Sequence, residues 1–455
     1  MAGRTDINMT EGAIWKRLIT FAVPLLIGNL FQQLYNTVDS IVVGNFVSKQ
    51  ALAAVGSVGP VINTLVGFFS GLATGAGVVI SQYYGAKDDR NLSNAVQTSV
   101  SFSLLCCVFC TVVGVLFVPM MLNLMNTPDD VFNESATYLR IYFFGISATL
   151  MYNIGAGILR AVGDSRHPLY YLCASTVTNI ILDLVFVIQF HWGIAGVAWA
   201  TVLSQVISAI LVFGQLIRSK ASYRVQPRHL RIDRRIMGSI VRIGLPGGIQ
   251  MAITSFSNVF VQGYFNQFGS DVMAGYTSYV KLDQFIMLPM QSISLSSTTF
   301  VGQNLGAGNV KRAKDGVRFS LSLSLLVTAV LSVLLIGFAR PLLTMFSSEP
   351  SVLDAGALFV RWSSPFYVLC CINQIHAGAL RGSGNSTPPT IIMLSSFVLF
   401  RQLYLALVKH FCNTVVFVAL SYPAGWLVCS IAMCIYFYRS NWAERGVLTG
   451  MPKKA

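Results

Sequence analysis

Apolar residues in this chain gather into long runs separated by short polar segments. Each run is eighteen or more residues long, which is enough for an α-helix to cross the hydrocarbon core of a bilayer. Inside hydrocarbon every backbone polar group must be bonded within its own segment, which favours helices for such runs. We therefore predict an all-α integral membrane protein with twelve transmembrane helices, which begin near residues 14, 51, 92, 131, 168, 193, 236, 275, 315, 352, 388 and 414.

The first apolar run, 14–46, carries a polar stripe. Asn29, Gln32, Asn36 and Asp39 recur at steps of three or four residues, so they share one helix face. A carboxylate at membrane depth costs at least ~2.5 kcal/mol, so this face must meet a partner helix or a wet cavity. The alternative interpretation places Asp39 close enough to the membrane surface to be solvated.

Composition agrees with a membrane protein, and the placement of charge gives its orientation. Of the 455 residues, 54% are hydrophobic and 11% are charged, against roughly 25% charged in soluble domains. Basic residues concentrate in the even-numbered loops and the termini, and seven of them lie in 218–235, whereas the odd-numbered loops carry acids such as Asp129 and Asp130. By the positive-inside rule both termini are cytoplasmic. The net charge of +14 therefore reports topology, and we expect no nucleic-acid partner.

The chain is built from two copies of one unit. The segment GAGILRAVGDS at 155–165 aligns with HAGALRGSGNS at 376–386, and nearly the same separation relates Pro24 to Pro246. Each half holds six spans, an even number, so both halves enter the membrane from the same side as parallel repeats.

The duplication predicts both domain organisation and mechanism. We expect an N-terminal six-helix lobe at 1–217, a basic cytoplasmic linker at 218–235 and a C-terminal six-helix lobe at 236–455. Two similar bundles around a central cleft are typical of transporters that work by alternating access. A channel or an intramembrane enzyme needs no such duplication.

Three acids fall inside the predicted spans: Asp39, Asp183 and Asp283. Asn179 lies four residues before Asp183 on the same helix face, and Thr201 offers a hydroxyl in the next span. Two carboxylates close together in a low dielectric cannot both stay ionised cheaply, so such a set suits a shared proton or a small hard cation. We predict a coupling site for H⁺ or Na⁺ formed by Asp39, Asn179, Asp183 and Thr201.

The second copy of the unit serves as an internal control. At the repeat-related positions the four polar residues are replaced, Asp39 by Val261, Asn179 by Phe400, Asp183 by Tyr404 and Thr201 by Tyr422. Because the fold is present twice and the polar set only once, we expect the set to serve coupling rather than folding.

Several of these segments together resemble the multidrug and toxic compound extrusion (MATE) family. They are the first span with Pro24 and LYNTVD at 34–39, the helix ends QYYG at 82–85 and QNLG at 303–306, and the duplicated LRxxG(D/N)S motif. The resemblance covers roughly residues 10–440. The four-residue polar set is similar to that of the DNA-damage-inducible F type branch, whose coupling cation binds in the N-terminal lobe.

The resemblance implies further roles. Helix 1 is expected to bend at a hinge, Pro24, when Asp39 takes up a proton, and Tyr35, Asn36 and Asn153 are expected to line a drug cavity between the lobes. The branch of the family with a C-terminal cation site has an acid in its seventh span, and this chain has none there.

We expect a secondary antiporter that exports amphipathic or cationic organic compounds in exchange for H⁺ or Na⁺, without another cofactor. It would act as a monomer in a bacterial-type inner (plasma) membrane. The alternative is a flippase for a lipid-linked precursor, although such relatives tend to have extra spans and a cationic cavity. A membrane-embedded enzyme would need a nucleophile or metal motif, which the sequence does not show. Two roles stay open: Asp283 pairs with Lys281 or joins the substrate cavity, and His376 is a core residue or a ligand.

Overall fold

The computed structural model describes residues 7–125 and 127–444, apart from the side chains of residues 40, 49 and 259. Helices account for nearly all of these residues, and no strand occurs among them. The long helices are α1 Ile14–Phe46, α2 Lys49–Gly85, α3 Asp89–Leu124, α4 Asp129–Ala161, α5 Arg166–Gln189, α6 Gly193–Arg218, α7 Arg234–Asn266, α8 Ser270–Gly306, α9 Val310–Gly337, α10 Pro350–Gly382, α11 Thr387–Phe411 and α12 Val415–Arg439. The predicted all-α fold class is confirmed.

Some long helices contain irregular turns, and short helices lie between or after them. The last turn of α5 and a middle turn of α11 are π-helical, at Val185–Gln189 and Ser395–Phe400, and α10 contains a 3₁₀ turn at Ser364–Phe366. Separate short helices are Pro227–His229, Ala339–Leu343 and Trp442–Glu444.

Helix positions agree closely with the apolar runs. Every long helix begins within five residues of its predicted start. The first two helices of each half also match in length, with 33 residues in α1 and α7 and 37 residues in α2 and α8. Since helix length follows the sequence of each copy, this match supports the inferred duplication.

Eleven of the described helices are long and apolar enough to cross a membrane, and α8 falls short on apolarity. The prediction counted α8 among the twelve spans, and α8 is as long as α2 but less apolar than the other long helices. Several of its serine and threonine side chains bond back to the helix itself, as Ser292 does to the carbonyl of Leu288 at 2.8 Å and Thr298 to that of Ser294 at 2.9 Å. Such bonds satisfy hydroxyl groups in an apolar setting, so a long helix forms despite the polar composition.

The described residues form two compact units. The first contains 7–8 and Val23–Gly248, and the second contains Met9–Ala22 and 249–444. This division differs from the predicted lobes, 1–217 and 236–455, because it falls inside α1 and α7 and not in the linker 218–235. In both helices it lies within two residues of a proline, Pro24 or Pro246.

In the first unit, close helix contact explains why the first half of α7 belongs there. A Cβ atom on Gly71 of α2 would lie 2.3 Å from the backbone nitrogen of Gly248, and one on Gly75 would lie 2.5 Å from the carbonyl oxygen of Ile240. Only glycine permits this approach. Gly71 and Gly75 therefore serve the packing of α2 against α7.

In the second unit, hydrogen bonds hold the first half of α1 and the segment before it. The hydroxyl of Ser296 on α8 donates to the carbonyl of Leu18 at 3.1 Å. Met9 is fully buried; its backbone nitrogen donates to Gln303, and its carbonyl accepts from Asn304 and Arg312. The chain is therefore anchored to α8 and α9 before α1 enters its apolar run.

The linker between α6 and α7 is fixed to α3 within the first unit. Gln97 uses both ends of its amide, donating to the carbonyl of Arg224 at 2.8 Å and accepting from the backbone nitrogen of Gln226 at 3.2 Å. The backbone nitrogen of Asp233 donates to Thr98 at 3.1 Å. The basic segment 218–235 is thus docked against the helix bundle.

A pair of glycines on α7 tests the packing argument. A Cβ atom on Gly244 would lie 2.7 Å from the Cα atom of Leu72, whereas one on Gly238 would meet nothing within 4 Å. We expect Gly244→Ala to destabilise the protein by about 1–3 kcal/mol through overpacking. Gly238→Ala should leave stability unchanged or raise it slightly, because alanine is the better helix former. Thermal unfolding of the two purified variants in detergent measures this, and equal unfolding temperatures would contradict the argument.

Candidate functional site

The acid predicted on α1 is buried inside the first unit. Asp39 follows the proline of this helix by four turns and is 8% exposed. Asn179 and Asp183 on α5 and Thr201 on α6 are buried as well, and Asp183 is fully inaccessible. The alternative interpretation, in which Asp39 is solvated at a membrane surface, does not fit this burial.

The structure brings the two carboxyl groups of the predicted site together. The side chains of Asp39 and Asp183 lie within hydrogen-bonding reach of each other. One oxygen of Asp39, both oxygens of Asp183 and both polar atoms of Asn179 have no hydrogen-bond partner in the described part of the chain. Ionised carboxylates are acceptors only, so two of them cannot satisfy each other. A proton or a cation between them would supply the missing partner.

The elements that carry the site are tied to one another. On α5, Ser175 donates to the carbonyl of Ser204 on α6 at 2.8 Å, and this bond holds the two helices side by side. The hydroxyl of Tyr35 on α1 donates to the hydroxyl oxygen of Thr201 at 3.3 Å. Helix α1 therefore contacts α5 through Asp39 and α6 through Tyr35.

A cavity of about 540 Å³ opens beside these residues within the first unit. The volume lies in the range of roughly 300–1,000 Å³ that suits a drug-sized ligand. Asp39 and Thr201 form part of its wall, together with the predicted substrate residues Tyr35, Asn36 and Asn153. Asp183 and Asn179 are not in the wall, so the cavity meets the carboxyl pair through Asp39.

The oxygen atoms at this site determine which ion it could bind. Two carboxyl groups, an amide oxygen and a hydroxyl form a donor set that fits a proton or a hard cation such as Na⁺. The chain's own residues would hold the ion as follows: Asp39 and Asp183 supply negative charge, and Asn179 and Thr201 supply neutral oxygen atoms. Uptake of one positive charge would remove the repulsion between the carboxylates.

The repeat-related positions of the second unit offer no such site. Val261, which corresponds to Asp39, is fully buried in an apolar core. Nearby, the guanidinium of Arg401 donates to Ser257 at 3.0 Å and to Asn258 at 2.8 Å and lies 5.0 Å from the ring centre of Tyr422. The second copy of the scaffold thus carries a fixed positive charge close to where the first copy carries its acid pair.

A comparison with known families adds to this picture. A family model described as MatE matches residues 24–185 and, a second time, residues 246–404. The two matches cover more than half of the chain and begin at the repeat-related prolines.

The chain belongs to the MatE family. It is therefore a multi-pass membrane transporter and not an enzyme. The family resemblance of the sequence motifs is confirmed.

Similar proteins match this MatE chain over nearly its whole length. The probable multidrug resistance protein YoeA of Bacillus subtilis is 29% identical over 449 residues, with 96% of each chain covered. The probable multidrug resistance protein NorM of Thermotoga maritima is 25% identical, covering 96% of this chain and 95% of that one. The multidrug export protein MepA of Staphylococcus haemolyticus is 21% identical, with 85% of each chain covered.

Solved structures share the MatE fold. A multidrug resistance MATE family transporter in an outward-facing conformation matches with a TM-score of 0.90 at 21% identity, covering 96% of this chain and 98% of that one. A structure described as MATE in the bent conformation matches with a TM-score of 0.89 at 20% identity, covering 99% and 98%. These likenesses confirm the predicted fold class of twelve transmembrane helices in two lobes.

Several residues of the MatE cavity were not predicted. They share a position in the wall and a polar side chain, and they are Asn63, Tyr138, Tyr142, Thr149, Tyr152 and Gln205. Tyr138 and Tyr142 are four residues apart on α4, so their common face could be read from the sequence. Nothing in the sequence alone indicates that this face turns towards α1.

Asp283 lies in the second unit and is not part of the cavity wall described above. It accepts a hydrogen bond of 2.5 Å from the hydroxyl of Tyr367, whose oxygen lies 3.2 Å from the hydroxyl oxygen of Tyr279. The nitrogen of Lys281 lies 5.3 Å from the ring centre of Phe346, and the described residues show no ion pair between Lys281 and Asp283. Pairing with Lys281, the first of the two roles left open for Asp283, is therefore not observed among the described residues.

Proposed function

We propose that this MatE-family chain is a secondary antiporter that exports amphipathic or cationic organic compounds in exchange for H⁺ or Na⁺. The observation that carries the proposal is that Asp39 belongs both to a buried carboxyl pair and to the wall of a drug-sized cavity. The names of the relatives, multidrug resistance and multidrug export proteins, support the substrate class.

Coupling follows from the double role of one helix. An ion held between Asp39 and Asp183 draws α1 towards α5, and a substrate in the cavity contacts Tyr35 and Asn36 on the same helix. A cationic substrate and the coupling ion both favour a negative Asp39, so each would weaken binding of the other. Such competition is what exchange in opposite directions needs.

Pro24 is the proposed hinge of this movement. It lies inside α1 and has no backbone N–H to donate, so the helix lacks one bond there and bends more readily. The boundary between the two compact units at Ala22 and Val23 lies next to it. The chain on the far side of the hinge carries Tyr35, Asn36 and Asp39.

The proposed setting is a bacterial-type inner (plasma) membrane, with the protein as a monomer and both termini cytoplasmic. Bacterial relatives and the basic linker between α6 and α7 support this orientation. The terminal residues Arg4, Arg445, Lys453 and Lys454, which contribute to the same argument, lie outside the described residues.

Removal of either carboxylate tests the coupling site. We expect Asp39→Asn and Asp183→Asn to reduce ion-driven efflux to the level of empty liposomes, because the amide cannot take up or release a positive charge. Asp271→Asn, which removes an exposed acid from the first turn of α8, is the matched control and should transport normally. The measurement is dye or drug efflux from proteoliposomes with imposed proton and sodium gradients.

Full efflux by Asp39→Asn would refute the assignment. The same liposomes, supplied with a lipid-linked precursor, distinguish the alternative function. Translocation of that lipid without drug efflux would show a flippase.

The variant Thr201→Val tests whether Na⁺ or H⁺ is the coupling ion. The hydroxyl of Thr201 would ligate Na⁺, whereas two carboxyl groups can share a proton without it. We expect the variant to lower the apparent Na⁺ affinity of sodium-driven efflux by about tenfold, the loss of one bond to a charged group, and to leave proton-driven efflux unchanged. Thr178→Val, which removes a hydroxyl that donates to the carbonyl of Ala174 within α5 and lies outside the cavity wall, is the control and should lower neither activity. Equal loss under both gradients would contradict a ligand role for Thr201.

Pro24→Ala tests the hinge. Alanine restores the backbone bond to the carbonyl of Thr20 and stiffens α1, so we expect transport to fall while substrate binding is kept. Amide hydrogen exchange should show greater protection from residue 20 to 28. Pro119→Ala, which alters a proline inside α3 in the same way, should keep its transport activity. Normal transport by Pro24→Ala with increased protection would exclude the hinge.

A further inference from the structure

A second cavity, of about 250 Å³, lies in the second unit. It forms where the beginning of α9, the later half of α10, the end of α12 and the turn Trp442–Glu444 meet. Its volume is below the roughly 300–1,000 Å³ of pockets for drug-sized ligands, so it suits a smaller group. None of its residues belongs to the carboxyl site or to the cavity of the first unit.

One wall of this cavity is aromatic and contains a buried histidine. The ring of His376 lies 4.4 Å from that of Phe437, which stacks on Trp442 at 5.0 Å. His376 is 2% exposed, and its Nδ1–H donates to the carbonyl of Ile372 at 2.7 Å. Its other ring nitrogen has no hydrogen-bond partner within the described ranges, so a neutral ring offers an acceptor to the cavity.

Charged residues at the cavity have both signs. Lys314, Arg318 and Glu444 line it, and Arg318 is paired with Asp315 at 3.5 Å. The positive charges of Lys314 and Arg318 are balanced by the negative charges of Asp315 and Glu444. A ligand with separated positive and negative groups therefore fits this arrangement better than a purely anionic one.

The helix α9, which begins at this cavity, exposes an apolar surface further along its length. On α9, Leu326, Val330 and Val333 are exposed, and their steps of four and three residues place the three on one helix face, about a quarter turn around the helix from Arg318. Tyr438, at the cavity edge on α12, is also exposed, and tyrosine and tryptophan are enriched at membrane surfaces. A headgroup in the cavity would leave room for acyl chains along this face of α9.

We propose that the cavity binds the headgroup of a zwitterionic aminophospholipid from the bilayer, of the phosphatidylethanolamine type. Lys314 and Arg318 hold the phosphate through charge-assisted hydrogen bonds. The ammonium group donates to Glu444 and to the free nitrogen of His376 and lies against the aromatic wall. A quaternary ammonium has no N–H to give, so the site prefers a primary amine.

Native mass spectrometry of the purified full-length protein tests the proposal. The protein is titrated with phosphatidylethanolamine, phosphatidylcholine and phosphatidylglycerol of identical acyl chains. We expect one phosphatidylethanolamine to be retained in preference to the other two. Lys314→Gln combined with Arg318→Gln should weaken its binding by about tenfold or more, because charge-assisted bonds are lost.

Matched variants keep the test specific. Lys220→Gln combined with Arg228→Gln removes the same charge from exposed positions of the linker and should bind the lipid normally. Glu444→Gln should reduce the preference for phosphatidylethanolamine over phosphatidylcholine, since only the amine contact changes. This exposed residue is not expected to affect folding.

The proposal is overturned by equal retention of phosphatidylethanolamine and phosphatidylcholine, by stronger retention of phosphatidylglycerol, or by unchanged binding in the Lys314 and Arg318 variant. Soluble phosphoethanolamine, which lacks acyl chains, should not displace the lipid at similar concentration. Displacement would show a site for a free phosphate ester and not for a lipid. None of these outcomes depends on the transport activity proposed for the first unit.

Discussion

The contact between Asp39 and Asp183 is the constraint on which the first unit depends. Both carboxyl groups are buried, and their free oxygens have no donor among the described residues. In a low dielectric, two adjacent negative charges and several unsatisfied acceptors would cost several kcal/mol. A positive charge shared between the two groups would remove this cost, and under the proposed function the fold of this unit would respond to ion binding.

The two copies of the scaffold meet this constraint in opposite ways. In the first unit, α1 meets α5 through two acids, and the proposed coupling ion would supply the positive charge between them. In the second, Arg401 brings its own positive charge to α7, where it bonds Ser257 and Asn258 and stacks on Tyr422. A covalently attached cation cannot leave, whereas a bound ion can. Under the proposed function, duplication would thus provide one permanent and one reversible version of the same helix attachment.

Sequence patterns predicted the helices well because hydrocarbon penalises every other backbone structure. They also pointed to Asp39 and Asp183, since intramembrane acids are rare and costly. They did not indicate that the compact units divide beside Pro24 and Pro246, because the partner of each half helix depends on distant contacts such as that of Ser296 with Leu18. The cavity tyrosines were missed for a similar reason: aromatic residues are common in membrane helices, and a hydroxyl carries no charge to mark it.

The energy of one ion crossing the membrane potential can be compared with the cost of bending α1. The comparison shows why a proline and one ion suffice for the proposed exchange. A single charge crossing ~100 mV gains about 2.3 kcal/mol, which shifts a two-state equilibrium by roughly fiftyfold. Bending an unbroken helix would sacrifice backbone bonds in an apolar medium, each costing several kcal/mol, and would exceed this gain. At Pro24 the bond is already missing, so the bend costs less than elsewhere in α1. The energy of one ion can then decide the position of the segment that carries Tyr35, Asn36 and Asp39.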